Sequence, residues 1–301
     1  MQTNSDPLIG FVVFFLNSCF LKMKVECAKA VAAIHFYIGI ILLAFSWIMN
    51  ETLEGARTHY FFFFLWVGYI LTIDGMLVIK RGVSPLTRAG FSYLFFFLLS
   101  IPFWWLFEGI NLRMQNWEYV GSHKFGPISY FLFASLNFST VIPAVLTTSE
   151  WVRHWRWIEN LKKGPAISVP SKGLIFVLGL GFLLLLLCFP HIFYPLCWIF
   201  LFFLTEPLNA KFKKRSILFG DLNQGEWRAV ISLAIGVLIC GLCWETWNWN
   251  SDPRWVYHIP FLGFFPIFEM PLLGYLGYLP FALELFSVTV FCWKGKLPLD
   301  L

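Results

Sequence analysis

The chain has 301 residues, of which 58% are hydrophobic and only 13% are charged, and its mean hydropathy is +0.70. Length alone would suggest two soluble domains, but this composition lies well outside the range of soluble globular proteins and excludes them. The net charge of +5 therefore has to be interpreted against a membrane topology.

Apolar runs recur along the whole chain and predict an all-α, polytopic membrane protein, because about 20 apolar residues cross a bilayer core. The fifth and sixth predicted spans are short and adjoin, so they form either two crossings or one kinked, re-entrant unit. Prolines are expected to break the last span. The apolar stretch 8–21 is too short to span a membrane comfortably and predicts either a helix at the membrane surface or a capping helix. The eight or so spans are 30–49, 60–79, 90–107, 127–149, 174–189, 191–205, 228–247 and 263–292.

The basic residues are distributed unevenly between alternate predicted loops. If the segment before residue 30 is cytoplasmic, only Arg57, Arg113, Lys124 and Arg254 of the 22 lysines and arginines lie on the other side. Basic loops of this kind are typical of the cytoplasmic face. We therefore expect an integral protein of a bacterial inner membrane, and the topology explains the positive charge without a nucleic-acid partner.

Two segments have closely similar sequences. Residues 104–111 read WWLFEGIN and are followed by WEY at 117–119, whereas residues 244–249 read WETWNW and are followed by WVY at 255–257. The Glu-x-x-Asn pattern recurs at an offset of 137 residues, which predicts two parallel repeats of about four helices each. The predicted organisation is an N-terminal segment 1–29, repeat 30–150, basic linker 151–173, repeat 174–293 and tail 294–301.

Acidic residues near the ends of these apolar spans are the candidate catalytic groups. A carboxyl group inside a membrane is costly and is usually functional, and it can donate a proton or a hydrogen bond. Glu108 and Glu245 are expected at the outer ends of the third and seventh spans, with Glu269 close by on the eighth. Asn111 and Asn248, one turn further along, either orient these carboxyl groups or satisfy free backbone groups at the helix ends.

Aromatic side chains cluster around the same acids and suggest a site that stabilises a cation through indole faces. An aromatic belt is also found at the interfaces of any helical membrane protein, so this alternative stays open. Asp74 and Glu206 are expected near the inner ends of their spans, either functional or paired with Lys80, Lys211 or Lys213. The candidate substrate-binding residues are Trp105, Trp117, Tyr119, Trp244, Trp247, Trp255, Tyr257, Asp74 and Glu206.

The sequence contains no recognisable cofactor or metal motif. Its six histidines and seven cysteines lack metal-ligand spacing, and Cys240 and Cys243 have no second pair beside them. Nucleotide-binding loops and hydrolase motifs are also missing. We therefore expect neither a metal nor a cofactor.

The order of acids and aromatics resembles a known family. Asp74 and then Phe107-Glu108 occur in the first half; Glu206, then Trp244-Glu245 and then FEMP at 268–271 occur in the second. This layout is similar to the integral-membrane, heterodimer-type lycopene cyclases of bacteria and fungi and the related carotenoid hydratases, over about residues 30–293. The resemblance implies a cofactor-independent enzyme that protonates a carotenoid or other polyisoprenoid lipid, either a cyclase-like intramolecular lyase or isomerase, or a hydratase.

Other protein classes fit the same residues. Parallel repeats and intramembrane acids also occur in proton-coupled transporters, and a lipid-binding or scaffold protein of the membrane is a further alternative. An enzyme for long lipids should contain an apolar tunnel that opens sideways to the bilayer. A carrier needs a polar route that reaches both aqueous faces.

Overall fold

The computed structural model describes residues 34–53 and 57–301, with side chains described in the second range from residue 60. Within these ranges the chain folds as an all-α bundle with two short two-stranded ribbons. Its helices are α1 (Ile34–Thr52), α2 (Arg57–Arg81), α3 (Pro85–Ala89), α4 (Leu94–Met114), α5 (Pro127–Phe138), α6 (Val141–Arg153), α7 (Arg156–Glu159), α8 (Lys172–Cys188), α9 (Pro190–Phe193), α10 (Phe200–Lys211), α11 (Arg228–Trp249) and α12 (Tyr278–Cys292). The strands are β1 (Trp117–Val120), β2 (Arg254–Tyr257), β3 (Pro266–Ile267) and β4 (Met270–Pro271).

The predicted class of protein is confirmed, since seven of the described helical segments are long and apolar enough to cross a membrane. The predicted fifth span corresponds to α8, which has 17 residues and is shorter than the others. Residues 8–21 lie outside the described ranges. The seven segments are Ile34–Thr52, Tyr60–Arg81, Pro85–Met114, Pro127–Arg153, Pro190–Lys211, Arg228–Trp249 and Leu272–Cys292.

The last predicted span, 263–292, is helical only from Leu272 onward. Before that residue the chain forms the β3–β4 hairpin, in which Pro266 lies opposite Pro271. Proline has no backbone N–H to donate within a helix and is tolerated in a short ribbon of this kind. Residues 263–271 are therefore not part of a helix.

Following the chain from helix to helix defines two ends of the bundle. α2 ends and α4 begins at one end, and α4 ends before β1 at the other. We name the end that holds residues 115–126 and 250–271 the strand end. The opposite end holds 82–93, 154–171, 212–227 and the tail 293–301. We name it the basic end because most of the lysines and arginines that the structure describes lie in these segments or in the helix ends that adjoin them. Both Glu-x-x-Asn segments lead into the strand end, as the sequence predicted.

Glycines let neighbouring helices pack with their backbones in direct contact. A Cβ atom added to Gly39 of α1 would lie 2.5 Å from the backbone nitrogen of Thr72, and one added to Gly68 of α2 would lie 2.5 Å from that of Leu43. Between α6 and α11, a Cβ on Gly236 would lie 2.7 Å from the Cα of Ser149. Small residues at such positions are typical of helix packing in membranes, where close van der Waals contact drives association.

At the basic end, Asp74 holds the turn that follows its own helix. The hydroxyl of Ser84 donates to Asp74 Oδ2 at 2.6 Å, and the backbone N–H of Leu86 donates to Oδ1 at 3.1 Å. Ser84 in turn caps the N-terminus of α3. The Asp74 carboxyl thus satisfies a backbone donor where the chain leaves helical geometry.

Glu206 holds the turn that follows its own helix, α10, in the second half of the chain. Ser216 donates its hydroxyl to Glu206 Oε2 at 2.6 Å, and the backbone N–H of Leu218 donates to the same oxygen at 2.7 Å. Ser287 of α12 donates to Oε1. Hydroxyl and amide donors, not the lysines considered from sequence, are thus the described hydrogen-bond partners of both acids.

The same spacing separates Asp74, Ser84 and Leu86 as Glu206, Ser216 and Leu218. In addition, β1 and β2, which follow the two Glu-x-x-Asn segments, pair with each other. These matching contacts support the prediction of two parallel repeats, which stays a prediction.

Replacing Gly236 with alanine should destabilise the α6–α11 interface. The added methyl group would meet Ser149 Oγ at 2.4 Å and backbone atoms of the same residue, and overpacking of this kind costs about 1–3 kcal/mol. Thermal unfolding in detergent micelles measures the loss. The matched control is Gly181→Ala on α8, where nothing lies within 4 Å, and this variant should melt no lower than the unmodified protein. Equal melting of the two variants would contradict the packing argument.

Candidate functional site

An antiparallel ribbon closes the strand end of the bundle. Trp117 of β1 lies opposite Tyr257 of β2, and Tyr119 lies opposite Trp255. Alternate residues of a strand point to the same face, so these four aromatic side chains share one side of the ribbon. All four line a cavity beneath it, whereas Glu118 is exposed.

Two asparagines fasten the ribbon to the helices that precede it. Asn111 donates through Nδ2 to the carbonyl of Trp117 at 2.7 Å, and its Oδ1 accepts from the backbone N–H of Asn116 at 2.9 Å. Asn248 donates to the carbonyl of Trp255 at 2.7 Å and accepts from the same residue's N–H at 2.9 Å. Two roles were considered for these asparagines from the sequence. Their hydrogen bonds match the role in which they satisfy backbone groups, and do not match the role in which they orient a carboxyl group.

Glu108 is a carboxyl group surrounded by donors. Its Oε1 accepts from Tyr119 Oη at 2.7 Å, from Trp104 Nε1 at 2.9 Å and from Trp117 Nε1 at 3.2 Å. Three donors directed at one oxygen stabilise negative charge on this group. Tyr119 itself has a pKa well above 10, because it is buried and adjoins Glu108, so its phenol stays protonated and donates.

Glu245 is fully buried and has a different set of neighbours. Its Oε1 accepts from Tyr257 Oη at 2.8 Å and from Tyr278 Oη at 3.2 Å. Its Oε2 is buried without a hydrogen-bond partner among the described residues. Burial and the adjacent Glu245 raise the pKa of Tyr257 well above 10, which keeps this phenol protonated as well.

A glycine explains why Tyr278 reaches the second carboxyl group. The residue four positions before Glu108 is Trp104, whereas the residue four positions before Glu245 is Gly241. A Cβ atom on Gly241 would lie 2.7 Å from a ring carbon of Tyr278. The Tyr278 ring thus lies against the bare backbone of Gly241, close enough for its hydroxyl to contact Glu245.

The cavity has a volume of about 350 Å³, within the range of small-molecule sites, which is about 300–1,000 Å³. None of the described residues that line it has a charged side chain. Its polar groups are mainly phenols, and Tyr119, Tyr257 and Tyr278 connect the cavity wall to Glu108 and Glu245 by hydrogen bonds. The arrangement suits an apolar ligand beside two hydrogen-bonded acids.

The predicted tryptophans divide into two groups. Trp117, Trp244 and Trp255 line the cavity, as does Trp104. The other predicted indoles have structural neighbours instead: Trp105 stacks on Phe131, and Trp247 is buried against Trp66. Asp74 and Glu206 lie near the basic end, away from the cavity lining.

Glu269 lies on the turn between β3 and β4, outside the helix predicted for it. Its carboxyl group is 3.1 Å from the guanidinium of Arg254 on β2. Its described contact is thus an ion pair to the ribbon, and its catalytic role stays a prediction.

Several cavity residues were not predicted. Tyr278 follows the GYLG sequence at 274–277, and this compact stretch of glycine and tyrosine is the signal that could have pointed to it. Trp198, whose ring centroid lies 5.9 Å from that of Trp117 in a stacked arrangement, was not predicted either. The unpredicted polar residues of the lining are Asn116, Tyr130, Asn137, Tyr194 and Tyr278.

Metal-ligating side chains are dispersed in the part of the chain that the structure describes. No group of three or more histidine, cysteine, aspartate or glutamate residues there could hold a metal ion. Cys240 is a buried free thiol whose Sγ lies 3.5 Å from the hydroxyl of Thr148. Helix packing accounts for this cysteine.

The fold and the site define a multi-pass, helical membrane protein with an aromatic cavity beside two buried carboxyl groups. No protein-family model, curated protein or solved structure matches the chain. The function is therefore inferred from the geometry of the site.

Replacing Asn248 with alanine should weaken the attachment of the β1–β2 ribbon to α11 and lower the thermal stability of the protein. The backbone N–H and carbonyl of Trp255 would each lose a partner, and an unsatisfied buried polar group costs about 1–3 kcal/mol. Thermal unfolding of the detergent-solubilised protein measures this loss. Asn223→Ala, at an exposed loop position, is the control and should melt like the unmodified protein; a melting temperature for Asn248→Ala equal to that of the control would disprove the role.

Proposed function

We propose that the protein is a cofactor-independent membrane enzyme that binds an apolar, polyisoprenoid-like lipid in the cavity and protonates one of its double bonds. The observation that carries the proposal is the fully buried carboxyl of Glu245, hydrogen-bonded to two phenols of an uncharged, aromatic cavity wall. The resemblance to lycopene cyclases and carotenoid hydratases supplies the polyisoprenoid class.

Glu245 is the proposed acid. A carboxylate whose Oε2 is buried without a partner would be costly, whereas a carboxyl group that carries a proton there is neutral. Tyr257 and Tyr278 each contact both Glu245 and the cavity. When Glu245 carries its proton on Oε1, that O–H donates to the oxygen of a phenol. The phenol then passes its own proton to the lipid as it accepts the proton of Glu245, so no phenolate forms and Glu245 is left as the carboxylate.

Glu108 is the proposed base on the other side of the site. Its three donors favour the carboxylate, so we assign Glu108 the role of proton acceptor and Glu245 that of proton donor. Adding a proton to one carbon of a double bond leaves a cation on the other. Loss of a neighbouring proton through Tyr119 to Glu108 then yields an isomerised product. Attack of a second double bond on the cation before that loss yields a cyclised product, and capture of water followed by loss of one of its protons to Glu108 yields a hydrated one.

Four indoles are the proposed cation stabilisers. Trp104, Trp117, Trp244 and Trp255 all line the cavity, and a cation over an indole face gains about 0.5–2 kcal/mol, the upper value in a dry site. A carbocation cannot form hydrogen bonds, so ring faces suit it better than polar side chains do.

A lipid-binding protein without catalysis is the second candidate, and the same uncharged lining favours it. A proton-coupled transporter fits less well, because the cavity lining comes from the strand-end half of the bundle and carries no charge among its described residues. We further propose that the basic end faces the cytoplasm, from the distribution of lysine and arginine.

Glu245→Gln should abolish most of the activity while the protein still inserts and folds. The amide keeps the shape of the side chain and can accept from Tyr257, but it has no acidic proton; general acid catalysis contributes about 10²–10⁴-fold. The measurement is a comparison of apolar lipid and pigment extracts from a host that expresses either form. Glu118→Gln, which changes an exposed glutamate of the same ribbon, is the matched control and should keep full activity.

The outcomes separate the candidates. Product formation by Glu245→Gln at the level of Glu118→Gln would end the assignment of the acid. If a lipid copurifies with the protein, and the same lipid is found unaltered in hosts with and without the protein, the protein binds lipid without catalysis.

A further inference from the structure

One wall of the cavity is formed by chain that is mostly not α-helical. Residues 259–277, here named the wall segment, contain the β3–β4 hairpin and a 3-10 helix (Leu272–Gly277) that leads into α12. Ile259, Leu262, Met270 and Leu273 of this segment line the cavity. The inner face of the wall is therefore apolar.

The outer face of the wall segment is apolar as well. Phe261 is 78% exposed and Phe265 is 76% exposed. Contiguous exposed apolar surface outside a packed core marks contact with a membrane or a partner. A wall that is apolar on both faces differs from an ordinary surface loop, which carries polar residues outward.

The wall segment is joined to a neighbouring part of the bundle that also exposes apolar side chains. Tyr194, which follows α9, donates its hydroxyl to the carbonyl of Pro260 at 3.1 Å. Phe189 and Ile192, just before it in the chain, are exposed apolar residues. The bilayer that surrounds these helices is thus the environment that fits the outer face of the wall.

Specific contacts hold the hairpin against its neighbours, and the ring of Phe268 packs against Trp249 of α11. Tyr275 donates to the carbonyl of Ile267 at 3.0 Å, and the ion pair between Glu269 and Arg254, at 3.1 Å, joins the hairpin to β2. Phe261 and Phe265 have φ angles of 64° and 50°, a left-handed conformation that residues with a Cβ adopt at a cost. Tertiary contacts, not local preference, therefore maintain this shape.

We propose that the apolar outer face of the wall segment lies against the acyl chains of the bilayer and that this segment is the lateral entrance through which the apolar ligand reaches the cavity. The ion pair between Glu269 and Arg254 is the clasp that keeps the entrance closed. The identity of the ligand rests on the proposed function, whereas the entrance rests on the position and the two apolar faces of the segment.

Photolabelling tests the position of the wall. The full-length protein is reconstituted in phosphatidylcholine vesicles that contain a diazirine-bearing isoprenoid hydrocarbon, irradiated, and mapped by peptide mass spectrometry. We expect label on residues 261–276 and little on residues 121–126, the loop after β1 at the same end of the bundle. Label on the exposed face of α8 without label on the wall segment would overturn the proposal.

A time course tests the clasp. Flash irradiation at increasing delays after the probe is added reports when label first appears on cavity residues such as Trp255 and Tyr257. In Glu269→Gln this labelling should be about two- to fivefold faster, the change expected for the loss of a partly exposed ion pair. Glu118→Gln, which removes the pair between Glu118 and His258 on the outside of the ribbon, should match the unmodified protein.

These measurements are independent of catalysis. Equal labelling rates for Glu269→Gln and Glu118→Gln would refute the clasp, whatever product is formed. Full product formation by Glu245→Gln would refute the proposed acid but leave the labelling of the wall unchanged.

Discussion

The structure depends on polar side chains that satisfy backbone groups where a helix ends in an apolar environment. Without water, each free N–H or carbonyl costs free energy, so irregular chain is tolerated there only where protein groups pair with it. Asp74 and Glu206 satisfy this requirement at the basic end, and Asn111 and Asn248 at the strand end. Glu284 adds a further case, because it accepts from the N–H of Leu201 at the start of α10.

The cavity is a consequence of this constraint at the strand end. Once the asparagines fix β1 and β2, strand alternation turns Trp117, Tyr119 and Tyr257 toward the interior. The aromatic rings then cover a cavity that the helices beneath the ribbon leave unfilled. The phenols find acceptors on Glu108 and Glu245 because buried hydroxyl groups need partners. The ribbon thus supplies part of the cavity wall and two phenols that contact the acids of α4 and α11.

Similar sequence places the two glutamates in unequal surroundings. Glu108 accepts three donors on one oxygen, whereas Glu245 has an oxygen without a partner. The difference begins at Gly241, which admits Tyr278 where the first half has the indole of Trp104. Similar sequence therefore does not impose similar hydrogen bonding, because the neighbours of each carboxyl group come from other segments of the chain.

The sequence alone determined the membrane class, most helix positions and the repeated Glu-x-x-Asn segments, because hydropathy and residue spacing are local properties. Tertiary structure decided what each polar group contacts. The amide of Asn248 binds the backbone of Trp255, and Glu269 pairs with Arg254 on a hairpin outside the helix predicted for it. Tyr278 reaches Glu245 from 33 residues away. Such partners come from segments distant in the chain, so only the packing of helices and ribbons brings them within hydrogen-bonding distance.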